Sequence, residues 1–210
     1  MISDNGESLA GYYYHAYHER VTLRHLFHKR RIDALVRLIP VPGHIMDAGC
    51  GSGVLLRMLA DKGCKVTGVD LDSTRVAWCK KLVPTADLYC GDIKSIQLSG
   101  NYDTIVCSEV IEHSSAEDRQ AVIKNLVCHL RPGGFLVVTV PSSFYLYVVE
   151  PFWRIIRDRK YGEGVHDDDE RHEAVSVEEL RCALAHEGCE VVKVGQTCWG
   201  MVRWCVARKR

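Results

Sequence analysis

Asp47-Ala48-Gly49-Cys50-Gly51-Ser52-Gly53 joins a short apolar run, residues 44–47, to a helical pattern over residues 53–62. Three glycines alternate through this turn, so the backbone can bend tightly and approach a bound group with no Cβ in the way. The amides that open the next helix stay free to donate to that group. Strand, glycine-rich turn and helix in that order is how an open parallel sheet presents a ligand at the carboxyl ends of its strands. The spacing lacks the two-residue gap before the third glycine that marks a dinucleotide fingerprint. The turn predicts a ligand site, and what it holds has to be read from residues further along.

Outward from this turn, short apolar runs alternate with helical stretches, the pattern of β-α-β units on a parallel sheet. The predicted strands are 44–47, 65–69, 86–89, 102–107, 135–140, 188–194 and 201–207, with helices over 53–62, 73–82, 117–130 and 176–186. One or two amphipathic helices over residues 12–38 precede them and end at Pro40-Val41-Pro42-Gly43. Residues 141–174 break the alternation with an aromatic-rich stretch, 144–156, and a polar one, 160–173, which reads as an insertion. Ser176-Val177-Glu178-Glu179 then has the form of a capping box. The last two strands are expected to be joined by a turn near residues 195–200.

The 210 residues, 47% hydrophobic and 26% charged, suffice for one domain with a complete core. Lys+Arg 27 against Asp+Glu 27 leaves a net charge of +0, so no global field favours a polyanion and no DNA partner is expected. No apolar run approaches the roughly 20 residues of a membrane helix, and the first residues lack the build of a signal peptide. A cytoplasmic chain is the expectation. The 10 cysteines include no C-x-x-C pair, so they are read as small buried hydrophobes rather than a zinc cage.

Asp70 closes the second predicted strand, where a carboxylate can take two hydrogen bonds from a ribose diol, and Gly91-Asp92-Ile93 follows the third, where a carboxylate can meet an exocyclic amine. With these residues in place, the chain from Gly43 to Pro141 resembles the class I S-adenosylmethionine-dependent methyltransferases. The resemblance rests on residues 46–53, Gly68-Val69-Asp70, Gly91-Asp92, the run from Tyr102-Asp103 through Glu112-His113, and Leu130-Arg131-Pro132-Gly133-Gly134-Phe135-Leu136. It implies a Rossmann-like α/β fold: a seven-stranded, mostly parallel sheet with helices on both faces and an antiparallel last strand. It also implies one methyltransferase domain with a helical cap over 1–42, a cofactor-binding core over 43–141, a lid or acceptor insertion over 142–175, and closing elements over 176–210. S-adenosylmethionine is the implied cofactor. Asp47, Gly49, Cys50, Gly51 and Ser108 would line its methionine part, Asp70 and Leu71 its ribose, and Asp92 and Ile93 its adenine. An N-terminal tyrosine or Arg24 would meet its carboxylate.

Past the fourth strand, Ser108-Glu109-Val110-Ile111-Glu112-His113 concentrates two carboxylates and an imidazole. The run resembles two subfamilies, the ubiquinone-biosynthesis O-methyltransferases and the small-RNA 3′-terminal 2′-O-methyltransferases. That resemblance implies Glu109, Glu112, His113 and the later His172 as ligands of a divalent cation such as Mg2+, which would acidify an acceptor hydroxyl. The same run in metal-independent relatives leaves the acids to orient the cofactor or the N-terminal helix, and leaves His113 or His172 to take the proton. Both readings stand at this point.

The insertion offers Phe144-Tyr145-Leu146-Tyr147-Val148-Val149 and Phe152-Trp153-Arg154-Ile155-Ile156-Arg157. It reads as a lid packed on the core, as a lid over an apolar or lipid-like acceptor at a membrane periphery, or as a homodimer contact. The basic run over residues 20–31 reads as a solvated helix face. A small, partly apolar acceptor methylated at oxygen is the expectation. RNA 2′-O-methylation is the alternative, opposed by the acidic Asp167-Asp168-Asp169-Glu170. From a different class, the chain would be a non-catalytic cofactor-binding partner subunit.

Overall fold

The computed structural model describes residues 14, 18, 23–40, 42–151 and 173–210, with the backbone alone at 23 and 24. Helix α1 (Leu23–Leu38) leads into β1 (His44–Ala48), α2 (Val54–Asp61), β2 (Lys65–Asp70), α3 (Ser73–Leu82), β3 (Asp87–Cys90) and β4 (Tyr102–Ser108). A single 3-10 turn at Ile111–His113 precedes α4 (Ala116–His129) and β5 (Leu130–Pro141), and a π-helical turn follows at Tyr145–Val149. Helix α5 (Val177–His186), β6 (Cys189–Thr197) and β7 (Val202–Lys209) close the chain.

The strands form one seven-stranded sheet in the order β3-β2-β1-β4-β5-β7-β6. Strands β1 to β5 are parallel, and β7 runs antiparallel between β5 and β6. The chain winds outward from β1 to β3 and then returns to lay β4 on the other side of β1. The winding reverses beyond the carboxyl ends of β1 and β4, which is where an open sheet of this kind places its ligand crevice.

Each central strand buries both faces. Met46 and Ile105 face a core shared with Val122, Ile123 and Leu126 of α4 and Leu180 and Leu184 of α5. Their neighbours Ile45 and Val106 face a second core shared with Ile32 and Leu35 of α1, Leu55, Leu56 and Leu59 of α2, and Cys79 of α3. Strands buried on both sides read as continuous apolar runs, which is why these were visible in the sequence without polar alternation. Cys50, Cys79, Cys107, Cys189, Cys198 and Cys205 are buried as expected, whereas Cys90, Cys128 and Cys182 are exposed.

Three local expectations change. Strand β5 starts at Leu130 rather than Phe135, because Leu130 already pairs with Tyr102 and the ladder resumes at Thr104 and Phe135 after a bulge. Gly195 is no turn residue: it lies in β6 opposite Trp204, whose indole carbon stands 2.4 Å from where a Cβ would be, so a side chain there would collide with the ring. The turn is confined to residues 198–201, where Cys198 and Trp199 take positive φ. The capping box is half formed. Ser176 Oγ accepts from the Glu179 amide at 3.0 Å, but the Glu179 carboxylate turns instead to the Arg119 guanidinium. No helix among the described residues is long and apolar enough to cross a membrane.

Candidate functional site

The crevice is built around the glycine turn. Gly49, Gly51 and Gly53 all take left-handed φ, of 80°, 53° and 75°, a region that glycine enters without a Cβ penalty. Gly49 and Cys50 donate their amides to the Val69 carbonyl at 2.8 and 3.0 Å, which straps the turn across the end of β2. Asp70 then locks it: Oδ2 accepts from the Gly51 amide at 2.7 Å and Oδ1 from the Asp72 amide at 3.0 Å. A Cβ on Gly51 would meet nothing within 4 Å, so this face of the turn is open to a ligand. A Cβ on Gly49 would lie 2.4 Å from Val110 Cγ2. Gly49→Ala is therefore expected to destabilise the fold by about 2 kcal/mol through left-handed strain and displacement of Val110, read as a lower urea midpoint with an unchanged m-value.

Asp47 is the penultimate residue of β1, directly below this turn, and is 4% exposed. Burial pushes its carboxyl up to about 7; neighbouring Asp70 adds to the rise and Arg31 opposes it. Cys50 is one predicted residue whose side chain turns away, since its thiol packs into the core beside Gly68. Only its backbone is left for a ligand. At the far end of the crevice Leu71 is 75% exposed and Asp92 is exposed, while Ile93 folds into the core. Asp92 Oδ1 accepts from the Lys94 amide at 2.8 Å, which shapes the loop after β3.

On the β4 side a relay of oxygens forms that the sequence did not announce. Thr139 Oγ1 donates to Glu109 Oε1 at 3.0 Å, so the Ser108 hydroxyl, 2.9 Å from the same Oγ1, donates to Thr139. Glu109 sits at φ 56°, uncommon for a residue with a side chain, and its Oε2 lies 3.8 Å from Arg31 Nη1. Thr139 is an ordinary β5 residue by pattern, and no sequence signal singles it out.

Arg31 corrects the reading of the basic run as a solvated face. Lys29 and Arg30 are exposed, but the Arg31 side chain is only 21% exposed and its buried Nε has no hydrogen-bond partner among the described residues. Its position four residues before Leu35, which is buried in the core, was the one available hint that it turns inward. Arg31 thus brings a cation, with a donor to spare, from α1 to the edge of the crevice beside Asp47 and Glu109. The side chain of Arg24 lies outside the described residues, as do Tyr12, Tyr13 and Tyr17; Tyr14 packs edge-on to Trp78.

Of the four residues expected to hold a cation, the three described ones, Glu109, Glu112 and His113, form no group that could hold a metal ion. Glu112 is 2% exposed, and its Oε2 has no hydrogen-bond partner among the described residues. Burial, reinforced by Glu109, raises its carboxyl well above the ordinary range and favours the protonated form. Glu109 has its two oxygens directed to Thr139 and Arg31, and His113 is exposed. Among the described residues no group of three His, Cys, Asp or Glu could hold a metal ion. His172 lies outside the described residues. The chain re-enters beside this acid, since the Glu173 amide donates to the Glu112 carbonyl at 3.0 Å.

Residues 45–134 match the family described as "Methyltransferase domain". The ubiquinone biosynthesis O-methyltransferase of Coxiella burnetii is 34% identical over 134 residues, which cover 60% of this chain and 56% of that protein. The malonyl-[acyl-carrier protein] O-methyltransferase of Enterobacter lignolyticus is 29% identical over 136 residues, covering 63% of this chain and 53% of that protein. The chain therefore spans a little over half the length of these relatives. Among solved structures, magnesium protoporphyrin IX methyltransferase from Synechocystis PCC 6803 with bound SAH superposes with a TM-score of 0.72 over 94% of this chain and 93% of that one. At 22% identity this is a likeness of fold.

Proposed function

We propose that this chain, whose residues 45–134 match the methyltransferase-domain family, transfers a methyl group from S-adenosylmethionine to oxygen on a small, partly apolar acceptor. The observation that carries the reading is the lock between Asp70 and the glycine turn, at the reversal point of a 3-2-1-4-5-7-6 sheet. Both Asp70 oxygens keep a lone pair in reach of a vicinal diol after accepting from Gly51 and Asp72. The open face of Gly51 would receive the methionine part of the cofactor, with Asp47 and Ser108 beside it. Among the described residues, Arg31 offers a buried donor with no hydrogen-bond partner for the cofactor carboxylate. Leu71 and Asp92 would flank the adenine.

Oxygen as the acceptor atom is supported by the two relatives named above, both O-methyltransferases by name. An apolar acceptor is supported by Phe144, Tyr147 and Val148, large side chains exposed just past the end of β5. A Glu112 whose burial favours its neutral form, and a Glu109 already directed to a hydroxyl and a guanidinium, support a metal-free reading, since a hard ion prefers free carboxylates. No step of the reaction is routed through one.

The test is to incubate the purified protein with methyl-labelled S-adenosylmethionine and an extract of the source cells, then to partition the product. Label in the organic phase is expected, at a rate that excess EDTA leaves unchanged within about twofold. Label in acid-precipitable, ribonuclease-sensitive material would overturn the small-molecule reading, and a rate abolished by EDTA and restored by Mg2+ would overturn the metal-free one.

A further inference from the structure

The loop after β3, residues 91–98, has no regular structure of its own, yet it carries Asp92. Its backbone is held from outside, by two side chains one turn apart on α4. Asn125 Nδ2 donates to the carbonyls of Ile93 and Ile96 at 2.9 and 3.0 Å, and its Oδ1 accepts from Gln97 Nε2 at 3.4 Å. The Leu98 amide donates to His129 Nε2 at 3.0 Å, which fixes the tautomer: the proton sits on Nδ1 and is donated to the Asn125 carbonyl at 2.8 Å. Both side chains are buried, Asn125 to 9% and His129 to 7% exposure. At the opposite end the Gly91 amide donates to the Asp70 carbonyl at 3.0 Å, so the loop is also tied to the ribose-side acid.

Buried backbone groups of an irregular loop need partners, and here α4 supplies them in a pattern that leaves the loop one conformation. Asp92 then spends one carboxylate oxygen on the Lys94 amide and is exposed with the other. We infer that Asn125, with His129, is a positioning residue for recognition of the adenine 6-amino group: neither touches the base, and together they hold the loop from which Asp92 reads it. The inference rests on the cofactor reading given above.

The experiment compares binding of S-adenosylhomocysteine with S-inosylhomocysteine, which lacks the 6-amino group, by calorimetry. The wild-type chain is expected to prefer the adenosyl ligand by about tenfold or more, the scale of one hydrogen bond to a charged group. Asn125→Ala is expected to weaken S-adenosylhomocysteine by about tenfold and to shrink the preference to within about threefold. A merely structural role would lower the melting point and leave this ratio intact. His129→Leu, which frees the Leu98 amide at the other end of the loop, is expected to shrink the ratio in the same direction, so the test survives if Asn125→Ala fails to fold. A folded variant that keeps the full preference overturns the inference, as does a wild-type chain that binds both ligands equally well. A wild-type chain that binds neither overturns the cofactor reading itself.

Discussion

Asp70→Ala is expected to lower affinity for S-adenosylhomocysteine by at least about a hundredfold, close to 3 kcal/mol. The loss has two sources that act together. Two hydrogen bonds from the ribose hydroxyls to a carboxylate are removed, each worth about 1.5–3 kcal/mol. The amides of Gly51 and Asp72, now held by Asp70 at 2.7 and 3.0 Å, lose their acceptor, and the glycine turn loses the strap that sets its shape for the ligand. Asp70→Asn separates the two. Its single amide oxygen can satisfy one of the two N–H groups but presents NH2 to the other, so an intermediate loss, about tenfold, is expected. Calorimetric titration of the three proteins checks the order. Binding by Asp70→Ala within about threefold of the wild type would show that the acid only shapes the turn and that the ribose lies elsewhere.

Asp70 also shows what kind of information the sequence held. Its place at the end of β2, like the place of the glycine turn after β1, follows from local pattern, because a buried parallel strand and its turn are written in consecutive residues. Helix α3, residues 73–82, agreed to the residue, since Asp72 accepts from the Thr74 and Arg75 amides and marks the start. What could not be read were contacts between segments far apart in the chain. Thr139 reaches Glu109 only because β5 lies beside β4, and Arg31 reaches the crevice only because α1 packs on the second core. Gly195 was misread for the same reason: its meaning is the Trp204 indole on the neighbouring strand. The cation set is a different case, since His172 lies outside the described residues. Proximity in sequence suggested a cluster, but the 3-10 turn at residues 111–113 buries Glu112 and leaves His113 exposed.

Asp47→Asn is expected to stabilise the chain at pH 8 and to leave it unchanged at pH 4. Burial first, then the neighbouring Asp70, raises the Asp47 carboxyl from 3.8 to about 7, against the partial opposition of Arg31. Between these two values the folded chain holds a proton that the unfolded chain has released. Stability therefore falls as pH rises from about 4 to about 7 and stays at the lower value above that. Three pH units at 1.36 kcal/mol each amount to a penalty of about 4 kcal/mol, which Asn avoids because it carries no charge to desolvate. Urea unfolding of both proteins from pH 4 to pH 8 reads this directly: the two curves should meet at the acid end and diverge through pH 7. Parallel curves would mean that Asp47 is not the group that titrates. On the proposed reading the sulfonium and ammonium of the cofactor would lie beside Asp47 and favour its carboxylate, so cofactor binding at pH 6 should release a proton from the wild-type chain and none from Asp47→Asn. Titrations in buffers of different ionisation enthalpy measure that release, and its persistence in the variant would assign the proton to another group of the crevice.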